Sequence, residues 1–290
     1  MENESRLKRA LDSGEFVVTA EICPPRGTDV KGFLDKARLL KDRIVAANVT
    51  DNQRAVMRLS SLACSALLIK EDIEPVFQMT CRDRNRLAIQ SDLLGAWVLG
   101  VRNVLALTGD HVSFGDHREA KAVFDMDSVQ MVYTIGRLNS GKNLKDRELR
   151  GGTGFFTGAV VAPEAEPFGP EGLKFRKKVA AGAKFFQTQA IFDMDAFKSF
   201  FDEAEKLGAK VLGGILLLKS AKMARYLNEN VQGVKVPPGL IEELEAAPDQ
   251  LRKGCEIASR QLSELKEFCH GAHIMAIGRE ESVVEIMEGA

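Results

Sequence analysis

Glu21 occupies the most telling chemical position in this chain. It lies near the end of an apolar run, Phe16 to Ile22, just before the rigid turn Cys23-Pro24-Pro25-Arg26. A carboxylate partly withdrawn from water has its pKa raised, which suits a general acid working near neutral pH. A structural ion pair with Arg26 or another base is the other reading of the same residues. Asp110 is the second acid of interest. It follows Thr108-Gly109, where glycine lets the backbone come close to a ligand, although it could equally cap a turn. The segment after it, His111 to Asp127, is long for a strand-to-helix connection and carries His111, His117 and Arg118. Loops of that length are lids, binding loops or disordered segments.

Side chains alternate across a strand, so Val17, Thr19 and Glu21 share one face and Val18, Ala20 and Ile22 the other. The first set turns polar toward its end. Similar endings occur in Asn48 and Thr50, in Gln78 and Thr80, in Thr108 leading to Asp110, and in Gln187 and Gln189. A single polar residue at a strand end is ordinarily just emerging into solvent. Repetition over five strands points instead to one shared mouth.

The elements that must position these residues follow from periodicity. Strand-like runs span Phe16 to Ile22, Ile44 to Thr50, Pro75 to Thr80, Asn103 to Thr108, Phe155 to Val161, Lys184 to Gln189, Val211 to Leu217 and Ala272 to Ile277. Helical patterns fall between and after them, at Lys31 to Lys41, Ala55 to Ile69, Arg84 to Leu99, Ser128 to Leu138, Glu171 to Ala181, Asp195 to Leu207, Ala221 to Glu229 and Leu251 to Cys269. Residues 1–290 therefore read as one (β/α)8 TIM barrel domain, with a short extra helix from Leu240 to Leu244 before the last unit and another near Ser282 to Met287. A doubly wound open sheet is the rival. The glycine-rich phosphate turn expected after its first strand is missing, and two prolines stand there instead.

Composition narrows the function classes. Forty basic and forty-one acidic residues leave a net charge of −1, which gives no support to a nucleic-acid-binding surface. The five cysteines are scattered singly, without a disulfide framework or a CxxC pair, and His111 and His117 have no companion ligands, so no metal site is expected. The N-terminus MENESRLKRAL lacks the apolar core of a secretory signal, and no stretch is long enough to span a bilayer, so a cytoplasmic protein is expected. The Arg82, Arg84, Arg86 alternation reads as a solvated helix start. Gly151-Gly152-Thr153-Gly154 precedes its strand and reads as a plain loop.

Seven motifs in order resemble the methylenetetrahydrofolate reductase family over nearly the whole chain. They are AEICPPR from Ala20, NVTDNQ from Asn48, QMTCRDRN from Gln78, NVLALTGD from Asn103, APEAEP from Ala162, KKVAAGAKFFQTQAIFD from Lys177 and GAHIMAIGR from Gly271. Departures occur at Gln78, where many members have histidine, at Ala162, where an aromatic residue is common, and near Met126-Asp127, which lacks a frequent tyrosine.

The resemblance implies a flavin cofactor, FAD by family habit with FMN open, and reduction of methylenetetrahydrofolate to methyltetrahydrofolate. It implies Glu21 as the catalytic acid, Asp110 beside flavin and pterin with a like charge that helps keep Glu21 protonated, and Gln189 on the folate. Thr50, Thr80, Gly109, Asp110 and either Arg176 or Lys178 are the implied flavin contacts. Electrons would come from NAD(P)H or from an iron–sulfur partner subunit, and an oligomer or hetero-complex is expected. The alternatives are a flavin-free folate or pterin methyltransferase barrel, and a barrel serving as platform in an electron-transfer complex.

Overall fold

Strand β1 (Val17–Ile22) pairs in parallel with two neighbours, β2 (Ala46–Val49) and β8 (Gly271–Met275), which closes the sheet and excludes an open doubly wound arrangement. The computed structural model describes residues 4–231 and 233–290. Around the barrel follow β3 (Pro75–Thr80), β4 (Asn103–Leu107), β5 (Phe156–Val161), β6 (Phe185–Ala190) and β7 (Lys210–Leu216), in chain order. All eight expected strands are present, with ends within a few residues of the expectation.

The outer helices start where side chains can satisfy the free N–H groups of a first turn. Asn85 accepts from Leu87 and Ala88 at the start of α4 (Arg86–Val98). Asp127 and Gln130 form a reciprocal capping box on α5 (Ser128–Asn139). The other outer helices are α2 (Lys31–Leu40), α3 (Ser61–Lys70), α6 (Phe168–Ala181), α7 (Met194–Lys206), α8 (Ala221–Asn230), α9 (Pro238–Ala246), α10 (Gln250–Lys266) and α11 (Ser282–Glu288). The extra helix before the last unit is α9, longer than expected because Pro238 begins it. Among the described residues no helix is long and apolar enough to cross a membrane.

The barrel interior changes chemistry from bottom to top. At the base, Val17, Ala46, Val76, Leu105, Phe156, Phe185 and Leu212 form an apolar layer, in which the Phe156 and Phe185 rings stack 4.9 Å apart. Leu7 and Leu11 of α1 (Arg6–Ser13) plug this layer from below, both buried. Sequence patterning missed α1, because two leucines four apart among charged residues carry little periodic signal. Glu74, just before β3, anchors it by accepting the Arg6 and Leu7 N–H groups at 2.7 and 2.9 Å.

Above the plug lies a buried polar layer. Gln187 exchanges two amide hydrogen bonds with Asn48, at 2.7 and 3.0 Å, and donates to Thr19 Oγ1 at 3.3 Å. Thr19 Oγ1 lies 3.0 Å from His273 Nδ1. Burial holds the His273 imidazole down at about 3, so it is neutral. Gln187 and Asn48 thus belong to the middle of the barrel and not to its mouth.

Three further expectations need correction. The helix expected from Ala55 starts only at Ser61, because Ala55 is left-handed and Val56 extended, neither of which a right-handed helix can include. Thr108 does not face the mouth: Leu107 holds the inward register, and Thr108 turns outward to accept from the Ser128 backbone at 3.2 Å. Arg82 and Arg84 are not solvated. Arg82 is buried against Asp83, and Arg84 is clamped to Asp51 at 2.7 Å and Asp92 at 3.0 Å; only Arg86 is exposed, paired with Asp125.

The plug should contribute substantially to stability. Leu11→Ala removes a fully buried side chain and is expected to cost about 2–5 kcal/mol, read as a lower denaturation midpoint by chemical unfolding. A change within experimental error would show that α1 is not part of the core.

Candidate active site

Glu21 faces inward from the upper end of β1, two residues beyond Thr19 of the polar layer. It is half-buried. Its hydrogen-bond partners are neutral amides, with Gln53 Nε2 donating to Oε2 at 3.2 Å and Gln78 of β3 also donating. Among the described residues no base forms an ion pair with it, so the ion-pair reading of the sequence fails. Desolvation dominates and pushes the carboxyl up from its ordinary 4.5 to about 7; the amides oppose the rise, and the charge of Glu280 adds to it.

Glu280 was not singled out in the sequence. It sits between β8 and α11, buried, with Oε2 2.6 Å from Lys36 Nζ on α2. It supplies the like charge expected of Asp110. The Asp110 side chain is exposed at the mouth, while Arg82 Nη1 holds its backbone carbonyl at 3.4 Å.

The loop after β2 carries Gln53 in an uncommon conformation. Asn52, Arg54 and Ala55 have φ of 45°, 56° and 56°, a region costing roughly 1–2 kcal/mol for each residue with a Cβ. Surrounding contacts hold the turn in place. Arg82 Nη2 donates to the Asn52 carbonyl at 3.2 Å, Asn52 Oδ1 accepts from the Arg58 N–H at 2.9 Å, and Asp116 accepts from the Met57 N–H at 3.0 Å. Gly115 packs directly on the turn: a Cβ there would stand 1.8 Å from the Ala55 carbonyl oxygen, so only glycine fits. The long loop after β4 thus buttresses the loop after β2.

The remaining expected site residues divide into two groups. Thr50, Thr80, Gly109, Asp110 and Gln189 all lie at the C-terminal ends of strands, around the mouth where barrel active sites are built. Thr80 is fixed by Asp51, which accepts from its N–H and its hydroxyl, both at 2.9 Å. Gly109, with φ of 90°, passes so close to Thr80 that a Cβ would meet Thr80 Cβ at 3.0 Å. Gln189 is exposed at the upper end of β6.

Lys178 and Arg176 lie on α6, outside the strands. Lys178 is buried and donates to the Val160 carbonyl at 2.7 Å, and burial lowers its amine to about 8. Arg176, two residues away, points outward and pairs with Glu203 on α7; the helical twist that turns Lys178 inward turns Arg176 away, so it is not brought to the site. Grooves of about 550 and 530 Å³ lie elsewhere, the first beside α1 at the opposite end of the barrel.

Comparison with known proteins agrees with this architecture. A crystal structure of 2,3-dimethylmalate lyase, a PEP mutase/isocitrate lyase superfamily member, superposes with a TM-score of 0.54 over 98% of this chain and 83% of its own, at 11% identity; that likeness concerns the fold alone. The 5,10-methylenetetrahydrofolate reductase of Escherichia coli is 23% identical, over 92% of this chain and 88% of its own. A protein of Caenorhabditis elegans named probable methylenetetrahydrofolate reductase (NADPH) is 23% identical over 98% of this chain, which spans only 43% of that longer relative. The sequence model of the family described as methylenetetrahydrofolate reductase matches residues 6–290, and the chain belongs to that family.

Proposed function

We propose that this protein reduces 5,10-methylenetetrahydrofolate to 5-methyltetrahydrofolate, with Glu21 as the acid that opens the imidazolidine ring. The observation that carries this reading is a half-buried carboxyl at the barrel mouth, hydrogen-bonded by amides alone and pushed up to about 7. Such a group is protonated in a large fraction of molecules at neutral pH, as a general acid must be. Glu21 donates its proton to the leaving nitrogen of the ring, which exposes the one-carbon unit as an iminium. Gln53 and Gln78 steady the resulting carboxylate through their N–H groups.

The hydroxyls and amides at the strand ends, the glycine backbone close to Thr80 and the buried lysine along β5 are groups of the kind a flavin takes. Thr50, Thr80, Gly109 and Asp110 would hold its ring system and ribityl chain, and Lys178 its more polar part. When bound, it supplies the hydride for the exposed carbon. FAD is favoured by family habit over FMN. Gln189, exposed at the mouth, would grip the pterin edge through its amide, and Asp110 would bear on flavin and pterin together. Electrons would come from NAD(P)H or from an iron–sulfur partner subunit within an oligomer or hetero-complex.

Glu21→Gln is expected to keep flavin binding and flavin reduction by the electron donor while lowering folate reduction about 10²-fold, a typical general-acid contribution. Full folate turnover in that variant removes Glu21 from the role. Because the working form is protonated, kcat/KM for folate should hold below pH 7 and fall about tenfold per unit above about 7. A flat profile from pH 6 to 9 contradicts the assignment. Asp110→Asn should weaken folate turnover without moving the melting temperature, and unchanged kinetics would reduce Asp110 to a turn residue.

A further inference from the structure

Gln53 is the residue whose placement demands the most of its surroundings. It stands in a turn where three neighbours, Asn52, Arg54 and Ala55, carry left-handed backbone strain, although its own φ is not positive. Strain of this kind persists only where the surroundings over-determine it, and it concentrates at functional sites. Four loops or helices hold the turn: the Arg82 guanidinium from beyond β3, Gly115 and Asp116 from beyond β4, the Pro24 carbonyl that accepts from Arg58, and Tyr226 of α8, whose hydroxyl accepts from Arg54. The consequence is one side-chain amide aimed at Glu21.

Hydrogen bonding also fixes which way that amide faces. Cys23 Sγ lies 3.5 Å from Gln53 Oε1 and 3.3 Å from Thr50 Oγ1. Burial pushes the Cys23 thiol above its ordinary range, so the sulfur keeps its proton. A thiol has one proton to give. With it directed to the Gln53 oxygen, the Thr50 hydroxyl donates to the sulfur, and the amide NH2 is left pointing at Glu21 Oε2, 3.2 Å away. Thr50, Cys23, Gln53 and Glu21 form a chain of donors running in one direction.

We propose that Gln53, oriented by the Cys23 thiol and held by the strained turn, is a positioning residue that sets the rotamer and proton affinity of the Glu21 carboxyl. Its role in turnover rests on the reading of Glu21 as the acid; its contact with the carboxyl does not. The other groups facing Glu21 are Gln78 from β3, Cys23 from the end of its own strand and the charge of Glu280, itself paired with Lys36; Arg58 acts on Cys23. A change at Gln53 leaves Gln78 and the Glu280–Lys36 pair in place and removes only the acceptor of the Cys23 thiol.

The test reads the carboxyl directly. Infrared difference spectra of the substrate-free protein against Glu21→Gln isolate the protonated Glu21 band, which is titrated with pH. Gln53→Met keeps the length of the side chain and deletes its donor, and should raise the midpoint by about half a unit to one unit. Cys23→Ala should shift it the same way by less, while Cys23→Ser, which retains an O–H donor, should leave it in place. The alkaline limb of folate reduction should move in step with the band in each variant. An unchanged midpoint in Gln53→Met overturns the proposal, and equal shifts in Cys23→Ala and Cys23→Ser overturn the part given to the thiol. A shifted band with an unmoved rate profile overturns instead the reading of Glu21 as the acid, and with it any role of Gln53 in turnover.

Discussion

The desolvation of one carboxyl that has no cationic partner among the described residues governs the site. Removing a carboxylate from water is costly, and a basic neighbour would relieve that cost by fixing the negative charge. Here the relief comes from Gln53 and Gln78, neutral groups that support the anion without binding its charge, while Glu280 disfavours it further. The result is a group poised between its two states near neutral pH. Bringing a guanidinium against Glu21 would remove that poise, and arginines of the mouth loops are held by other partners, Arg58 by the Pro24 carbonyl. Arg82 is bound to Asp83 and backbone carbonyls, Arg84 to Asp51 and Asp92.

The barrel interior supports this arrangement by separating tasks along its axis. An apolar base, closed by Leu7 and Leu11, contributes burial. A neutral polar layer follows, in which Thr19, Asn48, Gln187 and His273 satisfy one another. Such a network is tolerated in a core because few of its polar atoms are left without partners, and it brings no charge beneath Glu21. Had His273 been protonated, a buried cation would have lain one layer below the acid. Its burial prevents that.

Rigidity at the mouth comes from loops as much as from strands. The turn after β2 is strained, the loop after β4 presses Gly115 against it, and Asp51 ties Thr80 and Arg84 to the end of β2. These contacts stabilise a local conformation that the chain would not adopt alone. Strain and buttress are therefore two sides of one feature: the first aims Gln53, and the second prevents the turn from relaxing.

The sequence by itself determined eight parallel strands joined by helices and most of the polar residues at their C-terminal ends, while closure into a barrel was decided by the pairing of β1 with β8. Eight apolar runs alternating with helical patterns specify parallel strands joined by helices, and the two-residue period places Glu21, Thr50 and Thr80 on inward faces, whereas the irregular register between Gln187 and Ala190 breaks the period at Gln189. Only the folded structure decided which of them meet. The period could not tell that Gln187 stops at the middle of the barrel, that Thr108 falls out of register beyond β4, or that Arg82 and Arg84 are buried, because those outcomes depend on strand stagger and on partners far away in the chain. Gln53 and Glu280 escaped notice for the same reason. Each lies in a loop, without a periodic signal, and acts on Glu21 from 32 residues away in one case and from the other end of the chain in the other. Local propensity specifies elements, but the environment of a titratable group is a sum over everything packed around it, and closure of the barrel is what brings that sum together.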